Sequence, residues 1–93
     1  MSRQGDLFEQ RENLERVYAR IAPMILMFAR EQGCGAPFRV ETLRRYVRTR
    51  APGIAPDSPG RVLRQLRLKG ALDYVVVNRR QSLYQFKRAG KAA

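Results

Sequence analysis

The sequence predicts a mainly α domain with a small β-hairpin. Three observations carry that reading: helical spacing of apolar residues through 7–32 and 40–51, a short capped helix in "DSPGRVLRQLRLKG", and a switch to strand alternation over 71–87. A chain of 93 residues suits one domain with a modest core, and 44% hydrophobic content favours folding over disorder.

In the first helical stretch Leu14, Val17, Tyr18, Ile21 and Ile25 form one stripe. Arg11–Glu15 and Glu12–Arg16 lie four residues apart, where opposite charges add about a few tenths of a kcal/mol each. Pro23 removes a backbone donor, which predicts two nearly collinear segments, 7–21 and 23–32. "IAPMILMFA" is apolar on every side, so it is expected either at the centre of the core or, with Leu7 and Phe8, partly covering a second copy. On that basis residues 7–29 are a candidate homodimer surface. Residues 1–22 are expected as a helical arm, 23–87 as the main domain and 88–93 as a basic, frayed tail.

"EQGCGAPF" ends the helix with two glycines and Pro37, and Phe38–Arg39 is expected as a short extended piece. In "VETLRRYVRTRA", Val40, Leu43, Val47 and Ala51 share one side, Arg45, Arg48 and Thr49 point away, and Tyr46 is expected half-buried. "PGIAP" breaks this helix and turns Ile54 inward. In the next helix Asp57 or Ser58 is the expected cap, Pro59 takes the first position and Gly70 the stop. Val62, Leu63, Leu66 and Gly70 share one arc of the helix, Arg61, Arg64 and Leu68 lie opposite, Gln65 sits on a shoulder, and Arg67 and Lys69 flank the core face. "ALDYVVV" and "SLYQF" then read as strands around the polar turn "NRRQ". Leu72, Tyr74 and Val76 are expected on one face opposite Tyr84 and Phe86, with Asp73 and Gln85 toward water.

Charge narrows the function. Lys and Arg total 19 against 8 Asp and Glu, a net charge of +11. Residues 1–32 are neutral, so the whole excess lies in residues 33–93, where Glu41, Asp57 and Asp73 are the only acids. Concentrated positive charge repels itself until a polyanion relieves it, which makes nucleic acid the expected partner and anionic membrane the competitor. Most of the bases are Arg, whose planar fork suits phosphate and guanine edges, a bias that GC-rich coding also produces. The sequence contains no His and a single Cys34, so neither a zinc site nor a histidine-based triad is available. No enzyme activity, metal or cofactor is expected. The lone cysteine fits a reducing cytoplasm. No run approaches the roughly 20 apolar residues of a membrane span, and no secretory leader is evident.

Helix, helix, turn, short capped helix and a hairpin with a basic tip is the order of a winged helix-turn-helix. The stretch 38–87 resembles the C-terminal winged-helix domain of the Dam-replacing restriction endonucleases and of related phage and mobile-element proteins. The matching features are "SPGRVLRQL" at 58–66, the strand led by Gly70 with Tyr74, and "QSLYQF" at 81–86. A short helical arm precedes the match where that family carries its nuclease, so cleavage and methyl-adenine preference are not carried over. The resemblance implies duplex DNA binding by a recognition helix beginning at Ser58. Ser58 and the amides after it would meet a phosphate. Arg61 and Arg64 would enter the major groove, and Gln65 would read adenine or bond phosphate. Arg45, Arg48 and Arg67 would grip the backbone, with Arg79 and Arg80 acting from the hairpin tip, 78–82.

The expected function is thus a small DNA-binding transcriptional regulator, cytoplasmic and nucleoid-associated. The alternatives are a protein-docking winged helix without DNA affinity, which the charge disfavours, and an RNA-binding module. The latter would expose stacking aromatics, whereas Tyr74, Tyr84 and Phe86 are assigned to the hairpin core. Membrane association is set aside because the basic helices lack an apolar outer face.

Overall fold

The computed structural model describes residues 3–88, with side chains from residue 14 onward. Three helices and three strands alternate as α1 (Arg3–Gln32), β1 (Phe38–Arg39), α2 (Val40–Arg50), α3 (Ser58–Leu68), β2 (Asp73–Asn78) and β3 (Leu83–Arg88). The fold is mainly α with a small antiparallel sheet, as the sequence predicts.

α1 runs through Pro23 as one helix, which corrects the expected pair of segments 7–21 and 23–32. Packing is the reason. Ile21 and Ala22 before the proline and Ile25, Phe28 and Ala29 after it are all buried in one core, so both halves are held on one line. Ala19 and Pro23 face outward, so the carbonyl left without a donor meets water. The boundary drawn at residue 22 therefore falls inside a continuous helix. Met27 and Leu14 are exposed on α1, and Leu7 and Phe8 lie outside the described side chains. Among the described residues no helix is long and apolar enough to cross a membrane.

Gly33 and Gly35 adopt φ of 77° and 89°, the left-handed values that end α1 and turn the chain toward the sheet. The short extended piece at Phe38–Arg39 is a strand, so the hairpin becomes a three-stranded sheet in the order β1-β3-β2. Phe38 pairs with Tyr84 and Arg39 with Leu83. The Gly35 amide donates to the Phe86 carbonyl at 3.2 Å and the Val40 amide to the Ser82 carbonyl at 3.0 Å, extending the contact at both ends.

The core joins both layers. Leu43 and Val47 from α2 and Ala51 just after it meet Val62, Leu63 and Leu66 from α3, the buried face of α1, and Leu72, Tyr74 and Phe86. Phe38 stacks on Phe86 at 4.6 Å, and Phe28 meets Phe38 edge-on at 5.3 Å and Tyr46 at 5.2 Å. Such pairs add about 0.5–1.5 kcal/mol beyond burial. Ile54 is turned inward against this cluster, as expected.

α3 ends as its glycine predicts. Gly70 has φ of 78°, its amide donates to the Arg67 carbonyl at 3.0 Å, and the Ala71 amide donates to the Leu66 carbonyl at 2.9 Å. This pair of bonds is a Schellman stop. In the hairpin Leu72 and Tyr74 are buried, but Val76 is exposed, against expectation. The register slips between Val76 and Asn78, just past this exposed residue. Arg88, assigned to the tail, is the last residue of β3 and donates to the Gly70 carbonyl at 2.7 Å. Residues 89–93 lie outside the described residues.

Candidate nucleic-acid interface

α3 presents its basic residues to solvent because Val62, Leu63 and Leu66 occupy the inward arc. Arg61, Arg64 and Arg67 are exposed and Gln65 is half-buried. The start of the helix differs from expectation. Asp57 stands at the cap position, but neither it nor Ser58 makes a side-chain cap. The Asp57 Oδ2 instead accepts from Arg61 Nη2 at 2.8 Å. Arg61 is therefore an ion-paired arginine, in a solvent-exposed pair worth about 0–1 kcal/mol.

Ser58 is buried, and its amide donates to the Ala55 carbonyl at 3.0 Å. Pro59 has no amide to give, and the Arg61 amide is spent on the Asp57 carbonyl at 3.2 Å. The Ser58 and Arg61 amides are thus already engaged within the chain at the start of α3.

Arg67 and Lys69 flank the core face as predicted, each over an aromatic ring. The Arg67 guanidinium is 4.9 Å from the Tyr74 centroid, and Lys69 Nζ is 4.0 Å from that of Tyr18. Burial pushes the Tyr74 hydroxyl above its ordinary pKa, while Arg67 pulls it back. On α2, Arg45 and Arg48 are exposed. Thr49 donates to the Arg45 carbonyl at 2.8 Å, and Arg50 lies 3.5 Å from the Tyr46 ring centroid.

The hairpin tip is a four-residue loop, 79–82. Asn78 Oδ1 accepts the Gln81 amide at 3.1 Å, and the Arg79 carbonyl accepts the Ser82 amide at 3.2 Å. Ser82 takes φ of 49° to close the turn. Arg79 and Arg80 project from it, both exposed.

Two adjoining furrows connect these elements. One, of about 380 Å³, lies between the hairpin tip and the start of α2, lined by Arg39, Glu41, Arg44, Arg80 and Gln81. The other, of about 240 Å³, runs on to the start of α3, lined by Asp57, Gly60, Arg64, Tyr74 and Tyr84. Val40, Arg44 and Ser82 belong to both. The tip, α2 and α3 thus meet around one continuous depression. The chain matches no family model, no curated protein and no solved structure.

The structure brings Arg64 and Arg80 to this depression; Arg45 and Arg79 are not among its lining residues. Arg48 borders a smaller cavity of about 100 Å³ between α2 and the 54–59 turn. Sequence reasoning missed Arg44, whose Nη1 contacts Glu41 Oε2 at 3.4 Å and whose buried Nε has no partner. A signal was present. At about 100° per residue, Arg44 falls just beyond Ala51 at the edge of the apolar arc of Val40, Leu43, Val47 and Ala51, which places its stem beside the core.

Nearby acid is already engaged. Glu41 pairs with Arg44, Asp57 with Arg61, and Asp73 accepts the Tyr74 amide at 2.9 Å. Among the described residues Arg39, Arg45, Arg48, Arg64, Arg79 and Arg80 have no ion pair. The arrangement offers a polyanion several unopposed guanidinium groups on β1, α2, α3 and the hairpin tip. Among the described residues no group of His, Cys, Asp and Glu could hold a metal.

Proposed function

We propose that this chain is a duplex DNA-binding protein of winged helix-turn-helix type, acting as a small transcriptional regulator. α3 enters the major groove and the 78–82 tip serves as the wing. The observation that carries the proposal is the shared depression where α2, α3 and the tip meet, edged by Arg39, Arg44, Arg64 and Arg80 with the local acids spent. Arg64, exposed on the outer side of α3, and Gln65, on its shoulder, are the base-reading candidates. Arg61 reaches the groove only by sharing its charge with Asp57. Arg45, Arg48, Arg67, Arg79 and Arg80 bind the phosphate backbone, where most protein–DNA hydrogen bonds fall.

Fluorescence anisotropy with mixed-sequence duplex DNA across a salt series tests this reading. The wild type is expected to bind at low salt, with log K falling linearly in log salt by about 0.9 per phosphate contacted. Arg64→Ala/Arg80→Ala is expected to bind about ten-fold or more weakly with a shallower slope. Arg20→Ala/Arg30→Ala, on α1 and outside both furrows, is the comparison and should change much less. A folded wild type that ignores duplex DNA at low salt overturns the proposal, and protein docking then becomes the leading function.

A further inference from the structure

β2 forms one edge of the sheet, and no strand lies outside it among the described residues. Tyr74 alone of its six residues is buried, and Val75, Val76 and Val77 are 39%, 41% and 48% exposed. Edge strands are ordinarily protected by charge or proline, because their open backbone groups recruit further strands. Three consecutive valines combine an open edge with β-favouring, apolar side chains.

The hydrogen bonds identify which backbone groups are open. On β3 the carbonyls of Ser82 and Phe86 are used by Val40 and Gly35, so this alternate set of residues faces β1. Gln85 consequently faces β2, and its partner Val75 spends its backbone groups inward. Tyr74 and Val76 therefore point their amides and carbonyls outward. The Tyr74 amide is held by Asp73 Oδ1, whereas the same alternation leaves the Val76 amide on the open edge.

We infer that this edge pairs with β2 of a second copy, antiparallel about a two-fold axis near Val76. The strand is self-complementary in charge: Asp73 opens it and Arg79–Arg80 follow its end. Antiparallel pairing about Val76 brings each Asp73 toward the Arg79–Arg80 tip of the other copy and sets valine against valine. Parallel pairing would place like charges side by side. The slipped register after Val76 confines the new ladder to a short stretch, so the association is weak and concentration-dependent. This inference does not depend on DNA binding.

Sedimentation velocity of the full chain over a concentration series decides it, with circular dichroism to verify folding of each variant. The wild type is expected to shift from monomer to dimer as concentration rises. Val76→Lys and Asp73→Arg should each weaken the dimer about ten-fold or more, and Asp73→Arg/Arg79→Asp should restore it. A wild type monomeric throughout overturns the inference, as does a dimer unaffected by Val76→Lys or a double variant no better than Asp73→Arg. Loss of dimer in Met27→Lys but not in Val76→Lys would assign association to α1 and overturn it equally.

Discussion

Tyr74 sits where α3 meets the sheet, with its ring under Arg67, beside Tyr84 at 5.4 Å, and its backbone amide on Asp73. Its raised pKa has a sign that can be tested. A phenol that ionises at about 10 in the unfolded chain and higher in the folded one favours the folded state at neutral pH. That contribution is fully present below pH 10 and is lost as pH rises through the folded value. Thermal melts taken from neutral to alkaline pH should therefore fall less steeply above pH 10 for Tyr74→Phe than for the wild type, with tyrosinate absorbance following the ionisation. Asp57 and Arg61 illustrate the opposite case at this scale. Both are exposed, and their 2.8 Å contact adds little stability while removing one positive charge from the face of α3.

At the scale of elements, α1 departs most from local expectation. A proline inside a helix costs about 3 kcal/mol relative to alanine, yet Pro23 stays within α1 because the flanking apolar residues are pinned to the core. Pro23→Ala restores an amide at an exposed position and adds no bulk. It is expected to stabilise the protein by about 1–3 kcal/mol, read as a higher urea midpoint with an unchanged slope. α2 and α3 conform closely to their patterns: each buries the stripe read from spacing, and α3 stops at Gly70. The hairpin conforms in its turn and in Tyr74, and departs at Val76, which is exposed.

For the molecule as a whole, Phe86 links the layers. It is fully buried, stacked on Phe38 and edge-on to Phe28, so α1, β1 and β3 all lean on one ring. Phe86→Ala should cost about 3–5 kcal/mol, a large share of the roughly 5–15 kcal/mol typical of a domain, measured by urea unfolding. Much of this arrangement was legible beforehand. Periodicity located the helices and hairpin, punctuation by proline and glycine located most of their ends, and charge counting located the basic two thirds. The candidate site was legible only in part. Arg64 and Arg80 followed from their elements, but the turn that engages the Ser58 amide did not show in the residue pattern. Arg44 was passed over although it joins both furrows.

The division has a physical basis. Spacing, turn residues and net charge act between neighbours in the chain, so the sequence by itself determined the types of element, their order, the buried stripes of α2 and α3 and the sign of the surface. Tertiary structure alone decided that α1 remains one helix, that β1 joins β3, and that Val75, Val76 and Val77 stay exposed on an open edge. Each of those outcomes depends on which groups compete for the same donor or cover the same face. That competition is settled by packing and backbone geometry, which residue pattern alone does not determine.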